Sequence, residues 1–182
     1  MSLVETDWLA KNLKDVKIID CSWHMPQSKR DGFKEYKDKH IPNAIFFDLD
    51  NNSKKDTDLP HMLVGKDNWE KIVSKMGINN DDKIIIYDNS DVISSCRCWF
   101  NFIYFGHDPK LVHVLNGDKT FKKKEDLKII FETCLKNINE KNIVFSCGSG
   151  VTACVLALAY SLINDKYLPC IYDGSWAEYG II

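Results

Sequence analysis

Between Ile143 and Leu162 the chain reads Ile-Val-Phe-Ser-Cys-Gly-Ser-Gly-Val-Thr, then Ala-Cys-Val-Leu-Ala-Leu-Ala-Tyr-Ser-Leu. Few arrangements accommodate that order. Ile143 to Phe145 is a short apolar, partly β-branched run, which reads as a buried strand. The run from Val151 to Leu162 is apolar on nearly every side and rich in Ala and Leu, so it reads as a buried helix. Two glycines between them, Gly148 and Gly150, allow a sharp turn and a close backbone approach. Cys147 therefore sits between a strand's C-terminal edge and a helix N-terminus. Backbone N–H groups there lack intrahelical partners, and the helix dipole favours negative charge. Such a setting stabilises a thiolate and makes a nucleophile of a cysteine that would otherwise be structural.

Cys147-Gly-Ser-Gly-Val-Thr152 resembles the active-site loop of the rhodanese superfamily, in its mercaptopyruvate sulfurtransferase version. The thiosulfate-preferring members carry Arg-Lys where this loop has Gly148-Ser149. Ile171-Tyr-Asp-Gly-Ser-Trp-Ala-Glu-Tyr179 is similar to the segment that closes the catalytic domain of that family. The stretch from Trp8 to Gly117 resembles its non-catalytic N-terminal domain through Ile19-Asp-Cys-Ser-Trp23, His40-Ile-Pro-Asn-Ala44, Phe46-Phe-Asp-Leu-Asp50, Leu59-Pro-His-Met-Leu63 and Val114-Leu-Asn-Gly117. The resemblance implies an α/β fold: an open, mainly parallel sheet flanked by helices on both faces, with a partial second rhodanese unit. Residues 1–118 are expected to form a catalytically silent domain, and residues 119–182 the catalytic half of a second one. Thr120-Phe-Lys-Lys-Lys-Glu-Asp-Leu127 resembles the middle of that second domain, so about half a domain is expected to be absent between Gly117 and Thr120.

Local patterns fill in the elements. Helices are expected over Val4–Leu13 (capped by Thr6 or Asp7), Phe33–Lys39, Asn68–Met76, the Cys96–Phe105 region and Asp126–Cys134; strands are expected at Lys17–Cys21, Ala44–Phe47, Lys83–Tyr87, Leu111–Leu115 and Leu168–Tyr172. Asp88 stands where a nucleophile would lie in the first unit, and a carboxylate cannot carry a persulfide. His40 reads as a loop-fixing histidine, Cys96 and Cys98 as structural, and Arg97 as a structural ion pair or a donor to a carbonyl. A half domain would leave a sheet edge and helix 151–162 exposed unless they pack on the first domain, a second copy or another partner.

The resemblance implies sulfur transfer through a persulfide on Cys147, with 3-mercaptopyruvate or thiosulfate as the small-molecule donor. The acceptor would be cyanide or a thiol, a protein thiol such as thioredoxin included. By the same resemblance Asp50 and His61 match a relay that would serve Ser149, an arrangement known to move protons. Gly148, Gly150, Val151 and Thr152 are the expected substrate-binding positions. The alternative is a truncated, weakly active or non-catalytic persulfide carrier or binding module, because the arginines that grip the donor carboxylate in the family belong to the absent half. Lys54 and Lys55 offer a substitute cation, although a solvated loop is the simpler reading. A cysteine phosphatase is excluded, since no arginine follows Cys-Gly-Ser-Gly-Val-Thr-Ala.

Composition sets the remaining bounds. A formal charge of −2 gives no basic surface for nucleic acid, and no apolar run reaches membrane-spanning length. Seven scattered cysteines suit a reducing, cytoplasmic setting rather than a disulfide framework, and none has zinc-site spacing. Neither metal nor organic cofactor is expected. A homodimer through the exposed half domain is the expected assembly.

Overall fold

Ile84, Ile85 and Ile86 are all fully buried, which is the signature of a strand covered on both faces. They belong to β4 (Ile84–Tyr87), the middle strand of a five-stranded parallel sheet. The other strands are β1 (Leu3–Glu5), β2 (Lys17–Asp20), β3 (Ala44–Phe46) and β5 (Val112–Asn116), in the order β1-β5-β4-β2-β3. The computed structural model describes residues 2–117, 120–136 and 143–181.

Because successive strand side chains point to opposite faces, the isoleucines divide. Ile18 and Ile85 pack with Leu9 and Ala44 on one face, under α1 (Thr6–Asn12) and Tyr36 of α2 (Gly32–Asp38). Ile19, Ile84 and Ile86 join Val112 and Val114 on the other. There they meet Trp69 of α3 (Lys66–Lys75) and Cys98, Trp99 and Phe102 of α4 (Ser95–Tyr104). Beyond the sheet come α5 (Lys124–Cys134), α6 (Ala153–Ser161) and α7 (Ser175–Tyr179).

The apolar helix expected after the cysteine loop is α6, and it packs on α4. Val151, Cys154 and Leu158 enter the same buried cluster as Trp99 and Phe102, while Ala157 and Tyr160 turn to a second cluster with Leu127 and Phe131 of α5. One face is thus covered by the first part of the chain and another by α5. Other apolar side chains downstream remain open to solvent, among them Leu168, Trp176 and Tyr179. Among the described residues no helix is long and apolar enough to cross a membrane.

Three expectations need correction. The N-terminal helix is preceded by β1, whose three residues are too few for alternation to be told from a first helical turn. Helix 151–162 begins at Ala153, leaving Val151 and Thr152 in the loop. The strands expected at 143–145 and 168–172 are reduced to one parallel bridge between Phe145 and Ile171. Its two hydrogen bonds are Phe145 N–H to the Cys170 carbonyl, 3.0 Å, and Tyr172 N–H to the Phe145 carbonyl, 2.9 Å. A lone pair of strands without further neighbours is marginal, and no additional strand flanks this one among the described residues.

Because Leu158 is fully buried and Leu156 is 47% exposed, alanine substitution should separate them. Leu158→Ala is expected to cost about 2–5 kcal/mol of unfolding free energy in urea denaturation, and Leu156→Ala no more than about 0.5 kcal/mol. Equal effects would contradict the docking of α6 on α4.

Candidate active site

The loop from Cys147 to Thr152 is held from three sides. On its own side the α6 backbone begins with Cys154 N–H on the Val151 carbonyl and Val155 N–H on that of Thr152. From α7, Trp176 N–H donates to the Cys147 carbonyl at 3.0 Å and Ala177 N–H to the Gly148 carbonyl at 2.9 Å. From α4, Arg97 Nη1 donates to the Gly150 carbonyl at 3.1 Å. Gly150 sits at φ +74°, and a Cβ there would lie 2.9 Å from Arg97 Nη1, so the position is confined to glycine twice over.

This wrapping turns donors toward the Cys147 sulfur. Partial burial pushes the thiol up, but the Thr152 hydroxyl and the N–H groups of Ala153, Ser149 and Gly150 outweigh it, and the pKa lies below the ordinary thiol value. Burial moves other cysteines the opposite way: Cys21 and Cys96 well up, and Cys154 to about 12. Cys147 differs twice, in being only half-buried and in its cradle of donors. In the loop after β4, Asp88 accepts from Ser90 N–H at 2.8 Å and from Ser95 N–H, the first of α4, at 3.0 Å, so a carboxylate meets one loop donor and one N-terminal donor of that helix.

Asp50, His61 and Ser149 come together although 88 residues separate the histidine from the serine. His61 Nδ1 lies 2.9 Å from Ser149 Oγ, and Nε2 lies 3.1 Å from Asp50 Oδ1. His61 chiefly, with Trp23 and Lys55, holds the Asp50 carboxyl below its usual range against the opposing effect of burial. An ionised Asp50 can only accept, so Nε2 carries a proton, and in the neutral imidazole this leaves Nδ1 to face the serine hydroxyl as acceptor. His61 itself adopts φ +60°, an uncommon conformation for a non-glycine residue.

The remaining expected residues are dispersed. Gly148 is exposed; Val151 is buried in the core at 3% exposure, and Thr152 offers its hydroxyl to Cys147. Lys55 Nζ binds the Asp50 carbonyl at 2.9 Å, and Lys54 approaches Asp56 at 3.8 Å. Arg30 forms a fork with Glu35, and His40 Nδ1 lies 2.7 Å from the Tyr36 carbonyl, a loop-fixing contact. A cleft of about 680 Å³ beside Lys54, Lys55 and Lys71 includes none of Cys147, Ser149 or His61. Among the described residues no group of histidine, cysteine and acidic side chains could hold a metal ion.

Sequence reasoning passed over Trp23 and Asp173. The Trp23 indole N–H donates to both Asp50 carboxylate oxygens at 3.0 Å, and its ring meets His61 edge-on with centroids 4.7 Å apart. Asp173 takes Arg97 Nη2 on Oδ1 at 2.6 Å and Leu63 N–H on Oδ2 at 2.7 Å. Both Trp23 and Asp173 lie in segments that resemble the family, 19–23 and 171–179, but nothing in those segments distinguishes these two side chains from their neighbours.

A rhodanese-like domain model matches residues 5–120, more than half of the chain. The chain belongs to the rhodanese-like domain family. The matched span holds Asp50, His61, Trp23 and Arg97, and ends before Cys147. A thiosulfate/3-mercaptopyruvate sulfurtransferase of Arabidopsis thaliana is 44% identical over 117 residues, 63% of this chain and 30% of that protein. The chain thus spans about a third of the length of this plant relative and of a second, for which the share is 34%. The 3-mercaptopyruvate sulfurtransferase of Rattus norvegicus is 32% identical over 273 positions, covering 98% of this chain and 91% of the rat protein. Those 273 positions exceed the chain's 182 residues by about ninety, at which the rat protein has residues and this rhodanese-like chain has none. The crystal structure of SseA from Escherichia coli superposes with a TM-score of 0.82 at 23% identity, over 97% of this chain and 99% of that one, and so shares the fold.

Ionisation of Cys147 is directly measurable as the pH dependence of its alkylation by iodoacetamide. The midpoint should fall below that of an ordinary thiol, and Thr152→Val, which removes one donor, should raise it. Since folding lowers this pKa, the thiolate contributes stability above the ordinary thiol range and loses it as pH falls through the folded value. An unshifted midpoint, or none of the rise in Thr152→Val, would contradict the cradle.

Proposed function

We propose that the chain is a sulfurtransferase that carries sulfur as a persulfide on Cys147. The observation that carries this reading is a thiol with a lowered pKa two residues from a serine that ends an Asp50–His61–Ser149 hydrogen-bonded row. Asp50, His61, Ser149 and Cys147 are the proposed catalytic residues, and the donor is proposed to lie on the open side of the loop at Gly148, Ser149 and Thr152, with Gly150 and the core-buried Val151 supporting the loop from beneath. The names of the plant and rat relatives point to 3-mercaptopyruvate or thiosulfate as donor.

In the first half-reaction the Cys147 thiolate attacks the donor sulfur. For 3-mercaptopyruvate the carbon–sulfur bond breaks, its electron pair passes to the enolate of pyruvate, and the proton lost from the donor thiol ends on the methyl carbon. Ser149, backed by His61 and Asp50, handles that proton at its hydroxyl. For thiosulfate the leaving group is sulfite and no such proton is needed. The product is a Cys147 persulfide anion, which the N–H groups of Ser149, Gly150 and Ala153 are placed to stabilise. A thiolate or cyanide acceptor then attacks the outer sulfur and releases the Cys147 thiolate.

Pyruvate release from 3-mercaptopyruvate with a reducing thiol as acceptor tests the reading. Wild type should turn over, and Cys147→Ser should fall to the uncatalysed background. Ser149→Ala should lose about 10²–10⁴-fold in kcat with 3-mercaptopyruvate and much less with thiosulfate. Folded wild-type protein that releases no pyruvate and no sulfite would contradict the enzyme reading and leave the persulfide carrier.

A further inference from the structure

We infer that Arg97 is a positioning residue of this site, fixing from within α4 the backbone of both the histidine and the thiolate loop. Its side chain is 1% exposed. One guanidinium face lies over the Phe100 ring, 5.7 Å from its centroid, and Nε has no hydrogen-bond partner. Its hydrogen bonds to oxygen are therefore made by the two terminal nitrogens, with the Cys154 thiol close by. Nη1 donates to the Gly150 carbonyl at 3.1 Å; Nη2 donates to the His61 carbonyl at 2.7 Å and to Asp173 at 2.6 Å. The three acceptors come from three separate segments, and each bears on the chemistry. Gly150 supplies one of the N–H groups that face Cys147, His61 is the base of the serine row, and Asp173 anchors Leu63, two residues past His61.

A planar, rigid fork suits this task, and an ammonium does not. Lysine at 97 would keep the charge but could not present two parallel nitrogens to acceptors set apart by the width of the fork. The backbone at Gly150 and His61 would then lose a fixed point, although Cys154 Sγ still donates to the Gly150 carbonyl at 3.2 Å, and the Gly150 N–H would shift from the sulfur and the His61 ring from Ser149. Small displacements of this kind are costly for reactions that depend on near-attack geometry.

The experiment compares Arg97→Lys with wild type and with Leu9→Ala. Leu9 is buried under the opposite face of the sheet, so Leu9→Ala reports what loss of stability alone does. In Arg97→Lys the Cys147 alkylation midpoint should rise toward the ordinary thiol value, and pyruvate release should fall about 100-fold in kcat. Leu9→Ala should lower the melting temperature while leaving the midpoint in place. A folded Arg97→Lys with the wild-type midpoint and wild-type kcat overturns the inference. Should Arg97→Lys not fold, Asp173→Asn decides, because it leaves the guanidinium in place and removes its counter-charge; a midpoint unmoved there overturns the inference equally. The turnover arm rests on the sulfurtransferase reading, but the alkylation arm does not. A wild type without turnover whose midpoint still moves on Arg97→Lys sinks the function and keeps the positioning role.

Discussion

A guanidinium in a protein interior has to be met by oxygen, because an unpaired buried charge costs several kcal/mol. In this chain Arg97 is met by Asp173 and by two backbone carbonyls. The consequence is topological as much as energetic. Arg97 lies in the helix after β4, and its acceptors lie in the loop after β3, the turn before α6 and the turn before α7. One side chain thus closes the rhodanese-like sheet region onto the segment that carries Cys147. Burial of Cys154 and Leu158 against α4 supplies the apolar part of the same junction.

The two loops that follow β4 and the Phe145 bridge use one device to opposite ends. Each brings backbone N–H groups to the start of a helix. After β4, the Asp88 side chain accepts from Ser90 and Ser95, so that loop holds an acceptor of its own and no transferable atom. Before α6, the donors face a sulfur that is charged only when its proton leaves. The same field that caps a helix in one place lowers a thiol pKa in the other.

Much of this was legible because it rests on local pattern. The isoleucine run at β4 and the Cys-Gly-Ser-Gly turn, with Gly150 at φ +74°, both depend on residues adjacent in the chain. Asp50, His61 and Ser149 were named through family resemblance, since no spacing rule could join residues so far apart. What escaped was of two kinds. Trp23 and Asp173 act through partners distant in sequence, and their roles emerge only when loops converge. The strands at 143–145 and 168–172 failed for a different reason: their apolar, β-branched composition is suited to a ladder, but a ladder needs neighbours. With one bridge between Phe145 and Ile171, intrinsic preference had no sheet to extend.

The account depends most on one statement, that Cys147 can hold an extra sulfur. Intact-mass measurement after brief exposure to 3-mercaptopyruvate or thiosulfate, followed by peptide mapping, tests it without requiring an acceptor or turnover. The account predicts a gain of one sulfur atom, mapped to Cys147, reversed by a reducing thiol and absent in Cys147→Ser. No mass gain with either donor, or a gain mapped to exposed Cys134 or Cys170 instead, would contradict it.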